Sequence, residues 1–240
     1  MLIYGIHPIT EALRTGSVSE VWVSSRRDRR LERLLDTARH TGATVRRVDA
    51  QELDRLSRGG VHQGVVARVT SPAQRSVAEL VRDAVGPPLV LVVDGVEDPQ
   101  NFGALIRTAD AVGIDGVIYQ TRRAAPASAT AMKASAGAMA HVPLAPVVNI
   151  SRALSELKTF GVWTVGLEAG EQRSYHELDF NEPTALVVGA EGTGMRRLVR
   201  ERCDWLVSLP MRGAVSSLNV SVAAGVVLYE ALRQRSEGSS

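Results

Sequence analysis

Short runs of apolar residues separated by charged segments pattern the first seventy positions. EVWVSS (20–25), TVRRVD (44–49) and QGVVARVT (63–70) predict strands. Between them DRRLERLLDTARHTG (28–42) predicts an amphipathic helix ending on a glycine, and AQELDRLSRGG (50–60) a second one. SPAQRSVAELVRDAVGPP (71–88) carries proline at both ends and predicts a linker with one short helix. It separates a small α/β domain (1–70) from a larger one (88–240), with the linker over 71–87.

The second half changes pattern. PLVLVVDGV (88–96) is a continuous apolar run, the signature of a strand buried on both faces. GVIYQ, VPLAPVV, VWTVGLE, TALVVGA and DWLVSLPM predict further strands, with helices such as PQNFGALIRTADAVG and MRRLVRERC between them. Strand–helix alternation predicts an α/β fold with a mainly parallel sheet, whose ligands collect beyond the carboxyl ends of the strands. The C-terminal VSSLNVSVAAGVVLYEAL (215–232) poses a separate question: Ser216, Ser217 and Asn219 crowd the entrance of an apolar helix. A serine as helix cap is the plain answer, with Asn219 then inside the first turn; a polar site at the helix mouth is the other.

Composition narrows the class. The hydrophobic fraction of 45% supplies a core, and no stretch has the length of a membrane span. MLIYGIHPIT lacks the basic, long apolar pattern of a leader, and one cysteine, Cys203, rules out an internal disulfide; both lead us to expect a cytoplasmic protein. Five scattered histidines with a single cysteine give no metal-ligand spacing, and His62 reads as structural. Net charge is only +2, yet 26 of the 28 basic residues are Arg. Clusters at 26–30, 46–47, 122–123 and 196–200 would suit an RNA surface, or simply face solvent.

Three strand ends carry chemistry. DGVEDPQNFGALIRTADAVG (94–113) brings Asn101, Gly103 and Arg107 near the first. VVGAEGTGMRR (187–197) has the glycine spacing G-x-x-G-x-G, not the dinucleotide order, and Glu191 inside the turn would repel a pyrophosphate. A ligand without phosphate, or with positive charge, fits that turn better. SLPMRGAVSSLN (208–219) is the third.

Together NFGALIRTADAVG, ALVVGAEGTGM with SLPM, and VSSLNVSVAAGVVLYEA resemble the three motifs of the SpoU/TrmH class of SPOUT RNA ribose methyltransferases. YGIHPITEAL and VHQGVVARV are similar to the branch of that family that methylates a guanosine ribose of 23S rRNA. The resemblance implies a SPOUT α/β domain with a deep trefoil knot, a ribosomal-protein-like N-terminal RNA-binding domain, and S-adenosylmethionine as cofactor. It implies a homodimer with sites at the subunit interface, and neither metal nor membrane. It assigns Arg107, Asn101, Glu191, Ser217 and Asn219 to catalysis and the backbone of Gly189, Leu209 and Leu218 to the cofactor. Arg107 is the residue implied to activate the 2′-hydroxyl; a guanidinium is a poor base, so stabilising the developing alkoxide is the better role. Rival readings are a tRNA or resistance-conferring rRNA methyltransferase of the same family, a silent RNA-binding ribosome-assembly protein, and a nucleotide-dependent α/β enzyme.

Overall fold

The computed structural model describes residues 2–14, 16–25, 28–69, 74–121 and 129–237. Arg26, Arg27, Arg122 and Arg123 of the basic clusters, the start of the linker and the last three residues lie outside these. Helix α2 (Arg29–His40) shows how the local signals act: Asp28 caps it by accepting from the Arg30 N–H at 2.7 Å, and Leu31, Leu34, Leu35 and Ala38 form its buried stripe.

In the first domain, strands β1 (Leu2–Tyr4), β2 (Val18–Ser24), β3 (Thr44–Val48) and β4 (Val65–Val69) make a mixed sheet in the order β1-β4-β2-β3. Helices α1 (Ile6–Arg14), α2 and α3 (Ala50–Ser57) cover it. The apolar pattern signals β2 to β4 but not β1, which has three residues and too short a period to register. His62 is structural. Its Nε2 lies 3.1 Å from Asp54 Oδ1 and its Nδ1 accepts from the Gly64 N–H at 3.0 Å.

The second domain is a six-stranded parallel sheet, β10-β8-β9-β5-β6-β7. Its strands are β5 (Leu89–Asp94), β6 (Gly116–Gln120), β7 (Leu144–Val147), β8 (Trp163–Leu167), β9 (Thr184–Gly189) and β10 (Trp205–Val207). The two central strands, β5 and β9, are buried at every residue, which is why they read as unbroken apolar runs. Helix α4 (Val77–Arg82), started by a Ser76–Glu79 capping box, packs Val77 and Leu80 against this sheet. Just before it, the Arg75 N–H donates to Leu144 O at 2.9 Å, so the connecting segment joins the outer strand.

Helices α5 (Pro99–Val112), α6 (Ala129–Ala134), α7 (Ile150–Thr159), α8 (Arg197–Arg200) and α9 (Val220–Glu237) complete the domain. The chain runs outward from β5 through β6 to β7, and the remaining strands lie on the other side of β5. The order therefore reverses between β5 and β9, where a crevice for ligands opens beyond the strand ends. Register places Asp94 beside Gly189 at that point.

Candidate active site

Three chain segments meet above the β5–β9 reversal. Asp98 caps α5 by accepting from the Gln100 and Asn101 N–H groups at 3.1 and 3.3 Å, with Pro99 at the first helical position. This fixes Asn101 in the first turn, where its side-chain amide donates to Glu191 Oε1 on the turn after β9. Its carbonyl oxygen accepts from Asn219 Nδ2 at 2.9 Å. One amide thus ties all three motif segments together.

Asn219 also answers the question of the crowded helix entrance. It stands immediately before α9, and its Oδ1 accepts from the N–H groups of Ser221 at 2.9 Å and Val222 at 3.4 Å and from the Ser221 hydroxyl at 2.6 Å. It therefore caps α9 while lining the cavity. The cap is Asn219 and not a serine, and Asn219 stands before the first turn and not inside it, because α9 starts only at Val220. Because its oxygen faces the helix, its amide nitrogen must face Asn101. Ser216, Ser217 and Leu218 lie exposed on the loop before it.

These segments enclose a cavity of about 530 Å³. Its wall comprises Leu167 to Ala169 after β8, Val188 to Gly194 on the β9 turn, Leu209 and Met211 after β10, and Ser216 to Val220. Gly189, Glu191, Leu209, Ser217, Leu218 and Asn219 all line it. Gly189 permits a very tight turn: a Cβ there would stand 2.1 Å from the Gly194 carbonyl carbon. Gly192 and Gly194 take positive φ (77° and 67°), and Ala190 and Gly194 exchange backbone hydrogen bonds at 3.1 and 2.9 Å.

An ion pair between buried Asp94 and half-exposed Arg196 anchors the far side of the turn. The Asp94 carboxylate, at the end of β5, receives the Arg196 backbone N–H at 2.9 Å and the guanidinium through Nε at 2.8 Å and through Nη2. Asp94 is 1% exposed, and the fork supplies its hydrogen-bond partners. Arg200 pairs with Glu171, and Arg197 with Glu201. The 196–200 cluster therefore braces the domain through ion pairs of its own.

Arg107 lies elsewhere. It sits six residues beyond Asn101, about 9 Å along α5, exposed and without a hydrogen bond or ion pair among the described residues. It lines a second cleft, between the two domains, with His7, Gln63, Asp110, Lys133 and His141. Gly103, expected near the site, is buried against α6 instead, where a Cβ would come within 2.6 Å of Ala131 O. Cys203 takes no part. Burial pushes its thiol up to about 12, and its Sγ approaches Val199 O at 3.4 Å.

The cavity fits S-adenosylmethionine by its own chemistry. Its volume lies within the range of small-molecule sites. Two carboxylates, Glu168 and Glu191, line it with no cation among the lining residues, which suits a positively charged ligand and disfavours phosphate. Among the described residues no group of His, Cys, Asp or Glu could hold a metal ion.

Comparison with known proteins agrees with this arrangement. Residues 88–229 match the model of the SpoU rRNA Methylase family, and residues 2–75 match that of RNA 2′-O ribose methyltransferase substrate binding. The chain is 45% identical to the 23S rRNA (guanosine-2′-O-)-methyltransferase RlmB of Pseudomonas aeruginosa, over 97% of this chain and 96% of that protein. It is equally identical to RlmB of Bordetella pertussis, over 98% and 97%. Among solved structures, the SpoU methyltransferase AviRb from Streptomyces viridochromogenes, in complex with its cofactor AdoMet, superposes with a TM-score of 0.83. That match covers 98% of this chain and 90% of AviRb at 29% identity.

Proposed function

The chain belongs to the SpoU rRNA methylase family, and from that premise we propose that it methylates the ribose 2′-hydroxyl of a guanosine in 23S rRNA, using S-adenosylmethionine. The observation that carries this reading is the hydrogen-bonded chain Glu191–Asn101–Asn219 at the rim of a phosphate-averse cavity. The relatives of nearly full length with 45% identity support the rRNA guanosine over tRNA.

The bound cofactor supplies a methyl group activated by a sulfonium. The chain's own residues do the rest. Gly189, Leu209 and Leu218 offer backbone groups along the cavity wall. Asn101, oriented by both neighbours, holds Glu191 and Asn219 at fixed positions on the rim. A 2′-hydroxyl is a weak acid, so its proton must be drawn off as the new C–O bond forms. Glu191 and Ser217 stand at the rim as acceptors. Arg107, a planar cation with no hydrogen bond or ion pair among the described residues, stabilises the alkoxide and grips the adjoining phosphate.

Arg107 does not line its own chain's cavity, which fits a site completed by a second copy. Val222, Val226 and Tyr229 form an exposed stripe on α9 beside Ala104 and Thr108 of α5, and a homodimer would cover it. The knot implied by the motifs would run through the 190–219 segments that frame the cavity. The N-terminal sheet docks the RNA. No helix among the described residues is long and apolar enough to cross a membrane, and a ribosomal RNA substrate puts the protein in the cytoplasm. Transfer of labelled methyl groups to 23S rRNA fragments and to tRNA tests the assignment: label is expected in the rRNA, and exclusive labelling of tRNA would refute it.

A further inference from the structure

Glu168 shares the cavity wall with Glu191 but takes no part in the hydrogen-bonded chain at its rim. It follows β8 directly, and its N–H donates to Val207 O at 2.9 Å, which fixes the backbone. Its side chain turns into the cavity and lies against Gly194, where a Cβ would stand 2.8 Å from Oε1 and 3.3 Å from Oε2. Oε2 is buried and has no hydrogen-bond partner, a condition shared among the described residues only by Gln120 Oε1. Leaving a carboxylate oxygen in that state is costly, so such groups have partners when the protein is at work.

A carboxylate only accepts hydrogen bonds, so the missing partner is a donor on whatever fills the cavity. We propose that Glu168 binds the ribose 2′,3′-diol of S-adenosylmethionine. This rests on the methyltransferase reading above. S-Adenosylmethionine carries donors at its ammonium, its adenine amine and its ribose, and two adjacent hydroxyls match the two oxygens of one carboxylate. Position agrees. Glu168 directly follows β8, whose neighbour one strand away, at about 4.8 Å, is β9, ending at Gly189 and leading into the turn with Glu191. The ribose ring is one carbon from the sulfonium, which the methyltransferase reading puts near Glu191, whereas the adenine amine is at the far end of the ligand. A carboxylate at a parallel strand end is a recurrent partner of ribose hydroxyls for the same chemical reason.

Calorimetry with S-adenosylhomocysteine and its 2′,3′-dideoxy, N6-dimethyl and deaminated analogues tests the assignment on the full chain, after circular dichroism has shown each variant folded. Glu168→Ala should weaken S-adenosylhomocysteine about 10- to 100-fold, the usual range for a hydrogen bond to a charged group. Glu168→Gln, which keeps the shape and one acceptor, should lose less. The decisive result is that wild type and Glu168→Ala bind the dideoxy analogue alike. Equal losses on every analogue would mean a structural role through Gly194 and overturn the proposal. So would a loss that disappears with the N6-dimethyl or deaminated analogue instead, or an unchanged affinity for S-adenosylhomocysteine. Wild type failing to bind S-adenosylhomocysteine at all would overturn the methyltransferase reading itself, and this inference with it.

Discussion

Gly189→Ala puts the turn geometry under direct strain. The added methyl would stand 2.1 Å from the Gly194 carbonyl carbon and 2.2 Å from the Met195 nitrogen, both backbone atoms that cannot rotate away. Reaching ordinary contact requires the turn to move by about 1.3 Å, enough to break the paired Ala190–Gly194 hydrogen bonds now at 3.1 and 2.9 Å. Two lost hydrogen bonds at about 1 kcal/mol each, with an overpacking cost of about 1–3 kcal/mol, give roughly 3–5 kcal/mol. For a chain of this size that corresponds to a fall in melting temperature of roughly 6–20 °C. Cofactor affinity should drop by at least about tenfold, since the same turn lines the cavity. Gly192→Ala is the matched control. Its Cβ meets nothing within 4 Å, so only the positive φ resists it, at about 1–2 kcal/mol. Thermal unfolding followed by circular dichroism, with calorimetry for S-adenosylmethionine, measures both variants. Gly189→Ala melting within about 2 °C of wild type and binding cofactor normally would refute the reasoning.

Other substitutions separate roles that share a residue. Asn219→Ser keeps an N-cap oxygen and loses the amide bonded to Asn101, so stability should hold while methyl transfer collapses; Asn219→Ala should also lower stability by about 0.5–2 kcal/mol. Arg107→Ala and Arg107→Lys should cut turnover by about 10²–10³-fold with cofactor affinity unchanged. Mixing Arg107→Ala with Gly189→Ala should restore part of the activity if the site is shared between two copies, and single-turnover assays would show it. Cys203 should resist alkylation at pH 8 until the protein is unfolded. Its folded pKa of about 12 exceeds the ordinary 9.0, so its contribution to stability is complete below pH 9 and declines as pH rises toward 12, which urea unfolding across that range would detect.

Much of the second domain is legible in the apolar pattern because β5 and β9 are buried on both faces and read as unbroken runs. Local signals also sufficed for α2 and α5, whose caps are sequence-adjacent to the helices they start. What could not be read are contacts between distant segments. Nothing near Asn219 in sequence says that its amide will meet Asn101, 118 residues away. The Asp94–Arg196 fork spans 102 residues and left no spacing to recognise. One small residue misled: Gly103 serves packing against α6 and not the site. Arginine clusters were ambiguous for a physical reason. A pair such as Arg200–Glu171 depends on a carboxylate brought in by another loop, which charge runs alone do not reveal.

The most direct test of the central claim is the chemical position of the transferred methyl group. The protein is incubated with 23S rRNA and S-adenosylmethionine carrying a labelled methyl, the RNA is digested to nucleosides, and these are separated and identified by mass. The account predicts label in 2′-O-methylguanosine, present with wild type and lost with Asn101→Ala. Label on a nucleobase, or 2′-O-methylation undiminished by Asn101→Ala, would contradict it.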